Sequence, residues 1–473
     1  MTSYMTTRSL LMRLRRNAGM ASLVVGALAA LPMGGCSPDK ILSVTDPDLI
    51  NPQDVQSAAG ANAVRVGALN RLNIATSGGE SLLLLGGLFS NEWINGDSFI
   101  ARQQIDRRVI TPENDFLLTA NRALHRARVS ARQATDLLNE FIPAAPKWQV
   151  AEMHFIQAYV VNIITEHYCD GLIFSDVADD GTPIYGSPIT TAEAYDRALG
   201  NANDGLALLD SVAVADTAGV RVRNALRLIK GRILNNQATS TDPSKRTAAA
   251  AAVAAVPTTY RYEEQHSQTT NSNQFWNLNN NSRRYSVGST EGTNGLNFAT
   301  ANDPRVPVCL GNDVTCRAIN VTIATRDDGT IPVVVQRLWP VRESRVAILT
   351  GVEARLIEAE ALLPTDPVGS LLILNNLRLT VTGLAPLIDA GTPAARVDQL
   401  FRERAFWLFG RGTRTGDLRR LIRQYGRTED ATFPIGQWHK GGPYGDDVNM
   451  PVPQAEQNNP NVPAGQVCIN RAP

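Results

Sequence analysis

The chain has few cysteines, few lysines and no excess of charge of either sign. Its 473 residues include five Cys, and the 45 Lys and Arg balance the 45 Asp and Glu, so the formal net charge is zero. Without a positive field the counterion-release drive toward nucleic acid is missing, and no nucleic-acid partner is expected. Lysine is confined to Lys40, Lys147, Lys230, Lys245 and Lys440, so nearly all the positive charge is arginine, which suits fixed hydrogen-bonded pairs. Past Leu31 no apolar run is long enough to cross a bilayer. Catalytic signatures are lacking as well. There is no Gly-x-Ser-x-Gly, no His-Glu-x-x-His and no phosphate loop, and the five histidines (His125, His154, His167, His266, His439) are scattered. Glu166 beside His167, near Cys169 and Asp170, is the most tempting pair. Adjacent helical residues point in different directions, so the expectation there is a capped helix end beside a disulfide. With no Cys-x-x-Cys and no neighbouring His pattern, neither a metal site nor a cofactor is expected. What the chain does have is apolar material, 43% hydrophobic against 19% charged, enough for one large core or two ordinary ones.

The first 35 residues read as an export signal. Arg8, Arg13, Arg15 and Arg16 form a basic segment, Ala18 to Leu31 an apolar stretch too short to span, and Gly34 and Gly35 precede Cys36. Met33-Gly34-Gly35-Cys36 resembles a bacterial lipoprotein lipobox, which implies a lipid on Cys36 and a mature chain, 36–473, tethered to a membrane at that end. Four cysteines then remain in an oxidising setting, which permits two disulfides. Cys309 and Cys316 bracket a short loop with the turn formers Gly311, Asn312 and Asp313, so they are expected to pair. Cys169 and Cys468 follow as partners by elimination.

Helical periodicity dominates the mature chain. Pro112 to Phe141 and Lys147 to about Tyr168, the latter with Met153, Ile156, Val160 and Ile163 in a stripe, form one predicted hairpin. Thr191 to Val212 and Val220 to Gln237 form a second, with Ser244 to Val256 following. Further on, Leu349 to Leu363, Val368 to Val381, Ala394 to Phe409 and Arg414 to Tyr425 continue the pattern. The fold class expected is mainly α: a tetratricopeptide-like scaffold of helical hairpins, 36–256 and 344–473, without that repeat's consensus. Between them, 257–343 is a loop-rich insertion of Asn, Ser, Thr and Gly, with Val306 to Leu310 and Val333 to Val335 as short strands. Long loops in a compact domain usually carry function, so this segment is expected to face a ligand. Residues 434–473, rich in Pro, Asn and Gly, are expected to wrap the surface as ordered coil.

Several patterns occur in a telling order. They run from Leu42-Ser43-Val44-Thr45-Asp46-Pro47-Asp48 through Gly87-Leu88-Phe89-Ser90-Asn91-Glu92-Trp93 to Glu166-His167-Tyr168-Cys169. Next come Glu353-Ala354-Arg355-Leu356-Ile357-Glu358-Ala359-Glu360-Ala361, Leu374-Asn375-Asn376-Leu377-Arg378 and Arg402-Glu403-Arg404-Ala405-Phe406. Asp417-Leu418-Arg419-Arg420 and Asn449-Met450-Pro451-Val452-Pro453 close the series. Together they resemble the SusD/RagB family of outer-membrane nutrient-binding lipoproteins, over nearly all of the mature chain. The resemblance implies one SusD-like domain, a cell-surface lipid anchor, no catalysis, and capture of oligosaccharides or other nutrients for a SusC-type TonB-dependent transporter.

Read physically, Glu403, Arg411, Arg414, Asp417 and Arg420 stand where charge-assisted hydrogen bonds lock the last helices together. Ligand contact is expected instead from aromatics near polar loops, since a sugar ring offers apolar faces to stack and hydroxyls to amides and carboxylates. The candidates are Trp93 with Asn95 and Asp97, Trp276 with Asn277, Tyr285, and Trp339. Two other readings compete: a helical-repeat envelope scaffold that binds no small molecule, and a carbohydrate-active enzyme, which needs two carboxylates converging in a pocket.

Overall fold

Short polar residues open the helices where the sequence changes character. Asn114 accepts from Leu117 N at 3.0 Å, Asp216 from Gly219 N at 2.5 Å and Asp366 from Gly369 N at 2.8 Å, each satisfying an amide of a first helical turn. Proline follows Asp366 and Thr392 at the first helical position, where its missing N–H costs nothing. The computed structural model describes residues 55–178, 180–210, 216–463 and Cys468, all within the unit Asn51–Pro473. The leader and Cys36 lie outside the described residues.

The helices are α1 (Ala58–Asn73), α2 (Leu82–Phe89), α3 (Ile100–Arg107), α4 (Asp115–Phe141), α5 (Lys147–His167), α6 (Thr191–Asp210), α7 (Thr217–Gln237) and α8 (Ser244–Val253), then α9 (Val314–Arg317), α10 (Gly351–Leu362), α11 (Pro367–Leu379), α12 (Pro393–Trp407), α13 (Arg414–Tyr425) and α14 (Glu429–Thr432). Successive helices pack as hairpins: α4 on α5, α5 on α6, α6 on α7, α7 on α8, and α10 on α11, while α1 lies against α4 and α8 against α10. Helix α5 is buried on nearly every side from Val150 to His167, as expected of an element with neighbours all round. The predicted hairpins are therefore present. Several helix ends shift by one to three residues, and Leu349 changes element: it belongs to a strand, because Val346–Thr350 pairs with a partner strand before the helix begins at Gly351.

The few strands are short. β1 (Trp93–Asn95) pairs antiparallel with β7 (Tyr285–Val287), setting Trp93 opposite Val287 and Asn95 opposite Tyr285. Four two-residue strands, β2 to β5, lie between Leu172 and Ile189. β6 (Arg261–Glu264) pairs with β10 (Val346–Thr350), so the irregular segment leaves and re-enters the helical body side by side. β8 (Val308–Leu310) pairs with β9 (Val334–Gln336), close to the two strands expected there.

Both disulfides form, Cys309–Cys316 and Cys169–Cys468. In the terminal coil, Met450 N donates to His167 O at 2.8 Å and Cys169 N to Met450 O at 2.9 Å, fastening the coil to the end of α5. Glu166 and His167 stay apart as chemical groups. Glu166 Oε1 accepts from Asn236 Nδ2 at 2.6 Å, while His167 Nδ1 meets Ile163 O at 2.8 Å. Burial lowers the His167 imidazole to about 4, so it is neutral. Among the described residues no helix is long and apolar enough to cross a membrane.

Candidate functional site

Several buried asparagines of the irregular segment serve its own backbone. Trp276–Asn281 forms a π-helical turn, and the Asn279 amide bridges three main-chain groups: it donates to Tyr285 O (2.8 Å) and Val334 O (3.0 Å) and accepts from Gln336 N (2.8 Å). Asn280 exchanges bonds with Gln336, whose Oε1 accepts from Trp339 N at 2.7 Å. Buried main-chain groups that no long strand can pair find partners this way.

Asn273, fully buried, joins two segments. Its Oδ1 accepts from Trp276 N at 3.1 Å, its backbone N donates to Arg342 O at 2.9 Å, and its Nδ2 donates to Ser344 O at 2.8 Å. The turn bearing Trp276 is thereby held against Pro340–Glu343. A third segment comes from the small disulfide. Ile319 N and Val321 N both donate to Cys316 O at 3.0 Å, and Val321 packs with Cys309, Cys316, Val333 and Val335 in a cluster of its own. The three segments enclose an open cavity of about 520 Å³. Trp276, Ile319, Val321, Ile323, Pro340 and Val341 give it an apolar surface, and Gln268, Asn281, Arg283, Asn320, Arg342 and Glu343 are among its polar residues. Gln268 Nε2 donates to Glu343 Oε1 at 2.8 Å, which holds that carboxyl below its ordinary range and keeps it charged at neutral pH.

Of the aromatics singled out in the sequence, Trp276 alone lines this cavity, half-buried, with its neighbour Phe275 turned into the core. The others sit elsewhere. Trp93 and Tyr285 are fully buried, paired through β1 and β7, and their rings stack edge-on at 6.3 Å. Trp339 packs on Phe275 at 4.6 Å and over Gly410. Asn95 Nδ2 donates to Asp97 Oδ1 at 3.0 Å, and Asp97 is ion-paired with Arg102 inside the protein. All five are enclosed by their own neighbours; strand pairing puts Trp93, Asn95 and Tyr285 inside, while Trp339 is held by Gln336 and Phe275 and Asp97 by Arg102. Asn277 is half-buried beside the cavity, its amide engaged with Gln274 and Asn281. Arg283, Arg342 and Ile319–Ile323 went unremarked in the sequence, where nothing sets them apart from other loop residues.

Among the described residues, the group with metal-ligand spacing is Cys309, Asp313 and Cys316. Its sulfurs are bonded to each other, and Asp313 Oδ1 caps Cys316 N at 2.7 Å, so the group is a staple. Replacing both cysteines by serine is expected to cost about 2 to 3 kcal/mol, the chain-entropy value for so short a loop. A urea titration followed by circular dichroism measures it. The Ile319–Ile323 wall should loosen at the same time, visible as faster amide exchange there than in α4 or α5.

No protein-family model and no curated protein matches this sequence. Solved structures do. A SusD superfamily protein from Parabacteroides distasonis superposes with a TM-score of 0.62 at 13% identity, over 86% of this chain and 98% of that one. Surface glycan-binding protein A from Bacteroides thetaiotaomicron gives 0.60 at 13% identity, over 85% and 97%. A SusD-like protein from Bacteroides fragilis gives 0.57 at 14%, over 86% and 97%. The superpositions span nearly the whole of those chains, and this chain has the SusD-like fold.

Proposed function

We propose that the protein belongs to the SusD/RagB family and works as a glycan-binding lipoprotein of the outer membrane, anchored through Cys36, that passes its ligand to a SusC-type TonB-dependent transporter. The observation that carries the reading is the cavity around Trp276. A half-buried indole beside amides and arginines gives a sugar both a stacking face and hydrogen-bond partners. The fold shared with a surface glycan-binding protein supports it. Glu343 is the one carboxylate on the cavity wall, and two are needed for glycoside hydrolysis, which favours capture over cleavage.

The test is calorimetric titration with a panel of oligosaccharides. Trp276→Ala is expected to weaken binding of any hit by about tenfold or more, since stacking on an aromatic contributes roughly 1 to 3 kcal/mol. Its melting temperature should stay near that of the parent, because the indole is only half-buried. A folded protein that binds no member of a broad panel would turn the argument toward an envelope scaffold.

A further inference from the structure

The cavity walls differ in charge from the rest of the irregular segment. Arg283 and Arg342 both line the cavity, and neither guanidinium makes a hydrogen bond or ion pair among the described residues. Many of the protein's buried arginines are ion-paired: Arg232 with Glu353, Arg305 with Glu403, Arg404 with Asp417 and Arg420 with Glu360. Half-buried Arg396 pairs with Asp389 at 2.6 Å, whereas half-buried Arg283 and exposed Arg342 have no such carboxylate. The one carboxylate on the wall, Glu343, is already held by Gln268.

Arg283 also occupies an unusual backbone. Its φ of 57° lies in the left-handed region, which glycine or asparagine adopts at less cost than arginine. The conformation is clamped from both sides: Asp327 N donates to Arg283 O at 3.2 Å, and Ser282 Oγ bonds Asn277 O at 2.9 Å. Its Nε is buried without a partner. Asn320, which also lines the cavity, is left-handed as well, with φ of 63°. Backbone strain of this kind gathers at functional sites, and here Arg283 carries it at the edge of the cavity. The same cavity has an apolar lining, Trp276 with Ile319, Val321, Ile323, Pro340 and Val341.

Accepting that this cavity is the ligand site, we propose that its ligand is an acidic oligosaccharide, one bearing a uronate carboxylate or a sulfate ester beside an apolar sugar face. Guanidinium forks donate paired N–H bonds to the two oxygens of a carboxylate or sulfate, whereas a neutral sugar presents single, uncharged hydroxyl acceptors. The indole and aliphatic wall take the C–H face of the same residue. One net positive charge remains after Glu343 is set against the two arginines, enough to rank anionic above neutral sugars while leaving the stacking face available to both.

The experiment measures affinity for three matched probes of equal length: a hexuronate oligosaccharide, a sulfated neutral oligosaccharide and its unsulfated parent. They are titrated into the purified protein at low and high salt and into Arg283→Gln and Arg342→Gln. The expected result is binding of an acidic probe at least tenfold tighter than the neutral one, weakened by salt, and about tenfold weaker in each variant, the size of one lost charge-assisted bond. Arg283→Lys, which keeps the charge and the backbone strain, should recover part of it. Unchanged melting curves for the variants establish that they are folded. Success with the uronate alone or the sulfate alone supports the proposal and names the group. Equal affinity for acidic and neutral probes, or arginine variants that bind as the parent does, overturns the proposal and leaves glycan capture standing. No binding of any of the three overturns both.

Discussion

Replacing Asp417 with alanine is expected to destabilise the protein by about 3 to 5 kcal/mol, the cost of breaking a buried ion pair from one side. Asp417 accepts from Arg404 Nε and Nη2, both at 2.9 Å, and from Arg420 Nη2 at 2.8 Å. Arg420 in turn is bonded to Glu360, which also accepts from Tyr425 OH at 2.8 Å and Asn235 Nδ2 at 3.0 Å. Each of the four charged side chains is at most 4% exposed. Two anions thus balance two cations in a region that water does not reach, and removing Asp417 leaves two guanidiniums to share Glu360. Equilibrium urea unfolding at neutral pH measures the loss. A second readout follows from titration. Burial alone would raise the Asp417 carboxyl, but Arg404 and Arg420 outweigh it and hold the group at about 2, below the unfolded value near ~3.9. A depressed folded value means a contribution fully present above the unfolded one and lost as pH falls toward about 2. Asp417→Asn should therefore lose stability mainly at neutral pH and show a flatter acid limb between about pH 4 and 2. A variant as stable as the parent would mean that the network adds nothing over its desolvation cost.

That network was legible in outline, because Glu403, Asp417 and Arg420 fall on predicted helices among many arginines and few lysines. Glu403 indeed holds Arg305 and Arg378 through 2.6 Å contacts. Arg411 differs: it donates to Trp407 O at 3.1 Å, a main-chain partner that no charge pattern announces. The long helices were readable because their apolar residues recur at three and four positions, a signal carried within one element. Helix α2 escaped because Leu82-Leu83-Leu84-Leu85 is apolar without a period, being buried on every side. The cavity was readable only as a region. Trp93 and Trp276 look alike in sequence, each a tryptophan with an asparagine one or two residues on. What separates them is that β1 pairs with β7 while the Trp276 turn is capped by Asn273. Arg283 and Arg342 are far apart along the chain, and the β6–β10 closure with the Asn273, Asn279 and Asn280 ties brings their segments to one cavity.

Trp93→Ala is expected to cost about 3 to 5 kcal/mol as well, through the cavity left by a large buried ring. Trp93 is fully enclosed, with ring centroids 4.8 Å from Phe409 and 6.3 Å from both Phe275 and Tyr285. Gly87 accommodates it at close range: a Cβ there would stand 2.5 Å from Trp93 Cδ1. The surroundings are poor at refilling the space. Glu92 next to it is buried too, and burial pushes its carboxyl up to about 8 despite a 3.2 Å bond from Gly410 N and the nearby Arg414 and Arg411 charges. A protonated acid and a packed aromatic cluster leave little that can move inward. The decisive comparison is with Trp276→Ala in the same two assays. Trp93→Ala should unfold at markedly lower urea yet, where still folded, retain most of the parent's ligand affinity. Trp276→Ala should show the reverse, stability kept and affinity lost. Phe275 links the two, touching Trp93 and preceding Trp276, so a modest affinity loss in Trp93→Ala is consistent with slackening beneath the turn. A loss as large as that of Trp276→Ala at full folding would return Trp93 to the ligand-contacting set and require the β1–β7 pair to open.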